Sequence, residues 1–130
     1  AEVGRLLREV GLDPSYADAK PMELSGGECQ RAAIARAIAV KPRLLICDEC
    51  TSALDVSVQA QIMDLLHQLR KNHNMSFLFI SHDLALVSSF CDRVYVMKDG
   101  EIVESGKTSQ VINFPRNSYT KTLIASVLMA

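Results

Sequence analysis

The run Leu44-Leu45-Ile46-Cys47-Asp48-Glu49 passes from four consecutive apolar residues straight into two carboxylates. A short apolar run bounded so sharply is the pattern of a strand buried on both faces, as in parallel sheets. Acids at its carboxyl end lie where open α/β sheets keep their chemistry. A second apolar run, Phe77-Leu78-Phe79-Ile80, closes in Ser81-His82-Asp83. Between the two, beyond a turn over Thr51 to Asp55, the residues Val58, Ile62, Leu65, Leu66 and Leu69 make one stripe of a helix reaching about Lys71. Strand, helix and strand in that order predict a right-handed parallel crossover and an α/β fold.

Moving upstream, Pro42 interrupts an alanine- and isoleucine-rich helix predicted from about Glu28 to Val40. Its start is Leu24-Ser25-Gly26-Gly27-Glu28, in which Ser25 and Glu28 have capping-box spacing. The two glycines allow an anion close to unpaired backbone amides, where the helix dipole favours negative charge. Before it, Val3, Leu6, Leu7 and Val10 mark an amphipathic helix ended by Gly11, and the Pro14 to Pro21 region reads as an irregular connection. Downstream, Leu84 to Phe90 read as a short helix and Val94 to Met97 as a strand. Asp99-Gly100 is a strong hairpin signal into Ile102-Val103, so the sheet is expected to be mixed at one side. A helical turn near Gln110 to Asn113, a break at Pro115 and a helix from about Tyr119 to Leu128 complete the chain.

Composition narrows the function. With 14 basic and 15 acidic residues, a net charge of −1 and 5% aromatics, the chain has neither the basic footprint nor the stacking platform of a nucleic-acid binder. No apolar run is long enough to span a bilayer, and Glu2, Arg5, Arg8 and Glu9 do not suit a signal peptide. A soluble, cytosolic domain of 130 residues is expected, and its start on Ala1 hints at a fragment. The four cysteines are expected to be free thiols, because a 48% hydrophobic chain builds a core without staples. Cys47 and Cys50 have the spacing of a redox pair or half a zinc site, but no second pair completes four ligands. Gly100 to Thr108 ends like a P-loop, yet five residues separate its glycines where the motif needs four.

An apolar strand ending in Asp48-Glu49 matches a Walker B site, whose first carboxylate orders Mg²⁺ and whose second takes a proton from attacking water. His82, at the end of the next parallel strand, can reach the same sheet edge, contact a γ-phosphate and hold that water. The order Leu24–Arg31, Leu44–Glu49, Ser52–Asp55 and Ile80–Asp83 resembles the ATP-binding subunit of an ABC transporter.

That resemblance implies the C-terminal part of an ABC-type P-loop ATPase domain: a mostly parallel sheet flanked by helices, with a β-hairpin and part of the helical signature subdomain. Residues 1–40 would form the helical and signature segment, 41–105 the catalytic core and 106–130 a C-terminal extension of one domain. Ser25, Gly26, Gly27 and Glu28 then fall in the signature motif and Asp55 in the D-loop, all contacting ATP. Asp48 becomes the magnesium carboxylate, Glu49 the catalytic base and His82 the switch histidine. The implied function is ATP hydrolysis driving solute import, with a second ATP-binding subunit paired head to tail and a transmembrane permease as partners, at the cytoplasmic face of the membrane. The alternative is a regulatory or interaction module that keeps the fold without turnover. Phe114-Pro115 and Tyr119-Thr120 resemble the C-terminal extension of the oligopeptide, dipeptide and nickel importer branch, although Asn117-Ser118 replace its usual His-Pro. Cys50 stands where the family generally has Pro, and the Walker A loop, adenine-stacking aromatic and Q-loop are not in this sequence.

Overall fold

A computed structural model describes residues 1–129, which form two compact units, one through Ile80 and one from Ser81 on. In the first unit α1 spans Glu2–Glu9, two 3₁₀ turns cover Pro14–Asp18 and Pro21–Glu23, and α2 spans Gly26–Ile38. β1 (Leu44–Asp48), α3 (Val56–His73) and β2 (Ser76–Ile80) follow. β1 and β2 pair in parallel, with Ile46 opposite Leu78 and Asp48 opposite Ile80. The helix boundaries have local causes. Gly11 ends α1 with φ +78°, and Asn74 ends α3 in the left-handed region, where Asn is among the few residues tolerated. Beyond the α2 cap at Ala39, Lys41 has φ +52° just before Pro42, outside the right-handed helical region that a following proline disfavours.

The stripe foreseen on α3 is the centre of this unit: Ile62, Leu65, Leu66 and Leu69 are buried, joined by Met63. α2 packs against both α1 and α3, bringing Ile34, Ala35 and Ile38 into the same core. At roughly 1.5–3 kcal/mol per buried aliphatic side chain, this interior dominates the stability of the unit. The expectation that both strands are buried on both faces fails. Leu45 and Cys47 are covered, but Leu44 and Ile46 are 51% and 60% exposed, and Leu78 and Ile80 are 48% and 45% exposed. The alternation follows from the period of two along a strand. One face is packed, and among the described residues nothing covers the other.

In the second unit α4 spans Leu84–Phe90, β3 Arg93–Lys98, β4 Glu101–Lys107, α5 Thr108–Asn113 and α6 Ser118–Leu128. Asp99 and Gly100 both have positive φ, at +52° and +82°, which is the mirror-image turn their sequence predicts for a two-residue hairpin. Register shifts beyond Val96, so that Val103 is the extra residue of a bulge. Among the described residues the expected single mixed sheet does not appear: β1 pairs with β2, and β3 with β4. Each ladder is closed by its own connection, α3 for the parallel pair and the Asp99-Gly100 turn for the hairpin. Gly106 pairs with Val94 inside β4, so most of the Gly100 to Thr108 stretch is strand, Glu101–Lys107, rather than a phosphate loop. The Glu104 carboxylate accepts the amides of Arg116 and Asn117 at 2.7 and 3.1 Å, fixing the entry to α6.

Candidate functional site

The start of α2 is built as its sequence indicates. The Glu28 amide donates to Ser25 Oγ at 3.2 Å, and the Ser25 amide donates to Glu28 Oε1 at 3.3 Å. Tyr16, from the irregular connection, adds a partner that sequence reasoning missed. Its phenol holds the Glu28 carboxyl below the usual glutamate range, reinforced by Ser25, and the carboxylate in turn raises the phenol. No periodicity marks Tyr16, because it acts from a 3₁₀ turn with no repeating face.

Gly26 and Gly27 have a second reason to be glycine. A Cβ on Gly27 would sit 2.5 Å from Val58 Cγ1, and one on Gly26 would touch Leu54 Cδ2 at 3.4 Å. The start of α2 therefore lies directly against the residues on either side of Asp55. Asp55 is itself the cap of α3, accepting the Val58 amide at 2.9 Å on Oδ1. Two capped helix starts stand side by side, with Ser25, Gly26, Gly27, Glu28 and Asp55 gathered within one unit.

At the carboxyl end of β1 the two acids part. Asp48 continues the uncovered face that carries Leu44 and Ile46, and among the described residues no hydrogen bond or ion pair engages its carboxylate. A single exposed carboxylate suits Mg²⁺, a hard cation that keeps most of its waters and takes one or two protein oxygens. Glu49 leaves the strand with φ +51°, in the left-handed region. Three bonds hold that turn: its amide donates to the Ile80 carbonyl at 2.9 Å, and its carbonyl accepts the Ser52 amide at 3.3 Å and Ser52 Oγ at 3.0 Å. A non-glycine residue in this region costs on the order of 1–2 kcal/mol and persists only where its surroundings impose it.

His82 lies in the second unit, exposed, two residues beyond β2. Its neighbour Asp83 caps α4, accepting the Ala85 and Leu86 amides at 2.9 and 3.2 Å, and the Asp83 amide donates to Ser81 Oγ at 3.0 Å. The backbone around His82 is thus fixed on both sides by local bonds.

The ABC transporter family model matches residues 1–52. The dipeptide transport ATP-binding protein DppF of Lactococcus lactis subsp. cremoris is 47% identical over 98% of this chain, which covers 41% of that protein. The oligopeptide transport ATP-binding protein OppF of Salmonella typhimurium is 48% identical over 96% of the chain, which covers 37% of it. Among solved structures, an ATP-binding cassette of an ABC transporter in its ADP conformation superposes with a TM-score of 0.81 at 25% identity, over 95% of this chain and 48% of the other. The chain spans less than half the length of each of these proteins.

Proposed function

We propose that this chain, which matches the ABC transporter family model over residues 1–52 and is 47% and 48% identical to dipeptide and oligopeptide transport ATP-binding proteins, supplies the signature, Walker B and switch elements of a subunit that hydrolyses ATP to power uptake of peptides or similar small solutes. The observation that carries this reading is Glu49, held beyond β1 by the Ile80 and Ser52 bonds, next to an unengaged Asp48. Asp48 would hold Mg²⁺, which when bound neutralises charge on the phosphate oxygens. Glu49 accepts a proton from the attacking water, and His82 contacts the γ-phosphate and positions that water. Ser25, Gly26 and Gly27, with Glu28 and Asp55 around them, contact ATP held chiefly by a second, head-to-tail subunit. That subunit, a transmembrane permease and the cytoplasmic face of the membrane complete the assembly.

The test is a chimera in which this chain replaces the matching segment of the Lactococcus lactis relative. Steady Mg²⁺-dependent ATP turnover is expected. A folded chimera that binds ATP without hydrolysing it would overturn the assignment.

A further inference from the structure

Val58, near the start of α3, is in contact with both of the neighbouring helix starts. Its amide donates to Asp55 Oδ1 at 2.9 Å. Its Cγ1 fills the space beside Gly27, where an added Cβ would stand 2.5 Å away. Gly27 lies within α2 without a positive φ, so space rather than backbone conformation is what limits it. Ser25, Gly26 and Asp55 are exposed, whereas Gly27 and Val58 are half-buried. The groups assigned to ATP therefore face solvent, and the contact that spaces them is sheltered. Leu54 comes less close: its Cδ2 is 3.4 Å from a Cβ added to Gly26, and its longer side chain has other rotamers to adopt. Valine in a helix keeps essentially one rotamer, so the Val58 γ-methyl is a fixed stop for the start of α2.

We propose that Val58 is a positioning residue for ATP turnover: its amide fixes Asp55 and its γ-methyl sets how closely the start of α2 approaches, so that both meet the second subunit's ATP in one arrangement. This role rests on the function proposed above. Val58 touches no nucleotide and acts through Asp55 and Gly27. Truncating it to alanine keeps the bond to Asp55, which is made by the backbone, but removes the stop. Isoleucine keeps both the branch and the rotamer. A methyl can also be moved across the contact. With Val58→Ala in place, the Cβ that Gly27→Ala adds would stand 3.9 Å from the Cβ at position 58, an ordinary distance between carbons.

The experiment places Val58→Ala and Val58→Ile in the Lactococcus lactis chimera and measures kcat, KM and MgATP affinity. Val58→Ala should lower kcat about tenfold with MgATP affinity retained, since a small misplacement away from the chemistry can cost up to ~10²-fold. Val58→Ile should keep a kcat near that of the unsubstituted chimera. Undiminished kcat in Val58→Ala, a loss confined to KM, or an equal loss in Val58→Ile would each overturn the role. Urea melts of the 130-residue chain at low concentration test the stop without turnover. Gly27→Ala should lower the unfolding midpoint when Val58 is present and leave it unlowered in a chain that already carries Val58→Ala. Equal losses in the two backgrounds would overturn the stop even if Val58→Ala fails to fold in the chimera. A chimera that is inactive before any substitution overturns the function proposed above, whereas failure of the melts or of the kcat comparison overturns the Val58 role alone.

Discussion

The Glu49 amide donates to the carbonyl of Ile80 at 2.9 Å, joining the turn beyond β1 to the last residue of β2. This bond extends the parallel ladder by one step into a residue that no longer has strand geometry. It commits Glu49 to φ +51°, so the position proposed for the general base is also one where the backbone is strained.

Function and stability should therefore separate at this residue. Glu49→Gln keeps the shape without a proton acceptor, and hydrolysis in the chimera should fall ~10²–10⁴-fold with ATP binding retained. Glu49→Gly should be as inactive, yet it relieves the left-handed strain and should raise unfolding stability by roughly 1 kcal/mol. Phosphate release and urea titration on both variants read the two effects. Wild-type turnover in the glutamine variant would remove Glu49 from the base role.

The paired glycines should not be equivalent. Gly26→Ala meets Leu54 only at ordinary contact distance, and alanine suits a helix better, so stability should rise by ~0.5–1 kcal/mol. Gly27→Ala drives a methyl into Val58, whose branched side chain has little freedom to turn away. A loss of about 1–3 kcal/mol, typical of overpacking, is expected from denaturant melts. Equal effects would mean that α2 is not seated on α3 through Gly27.

The cap of α2 should respond to acid. The Glu28 carboxyl is lowered in the fold by Tyr16 and Ser25, so its contribution is present above the unfolded glutamate value and is lost as pH falls through the folded one. Stability should therefore decline on the acid side of pH ~4.3, with nothing lost at neutral pH. Tyr16→Phe should move the Glu28 titration, followed by carboxyl carbon resonances, back up toward the ordinary value. An unmoved midpoint would sever Tyr16 from the cap.

The parts of this fold legible in sequence are those set by local rules. Ser25 and Glu28 form the capping box their spacing announces, Asp99-Gly100 makes its hairpin, and the α3 stripe is buried from Ile62 to Leu69, with Val58 at its start half-buried. What was misread depends on neighbours. Four apolar residues in Leu44–Cys47 and four in Phe77–Ile80 read as strands covered on both sides, but apolar character cannot say whether a covering layer exists. Gly27 carries a second constraint that its sequence does not announce, because its contact with Val58 brings together residues 31 positions apart that no local pattern links. Tyr16 escaped because one aromatic in an irregular segment has no period to betray it.

The uncovered strand face should be adhesive. Ile46 and Leu78 are register partners on the same exposed surface, flanked by Leu44 and Ile80. Exposed apolar patches and open strand edges favour association. Sedimentation velocity should show the chain self-associating with rising concentration. Ile46→Thr with Leu78→Thr should shift it toward monomer while circular dichroism stays unchanged. A wild-type chain that stays monomeric throughout would sink this expectation.

The 130-residue chain on its own should neither bind Mg-ATP tightly nor hydrolyse it. Phosphoryl transfer is catalysed by positioning and charge stabilisation, and a glycine-rich loop with its lysine supplies much of both. The one stretch here that mimics such a loop is occupied otherwise, with Gly106 paired to Val94 in β4. The amides at the start of α2 can attract an anion, but one exposed helix start contributes only ~0.3–1 kcal/mol, against about 8 kcal/mol for micromolar binding. Glu49, however well held by Ile80 and Ser52, then has no fixed phosphate to act upon. Isothermal titration with Mg-ATP should show no saturable heat in the micromolar range, and phosphate release should match the buffer blank. Micromolar affinity or steady turnover by the isolated chain would place the phosphate site within these residues and overturn the division of labour proposed for Asp48, Glu49 and the start of α2.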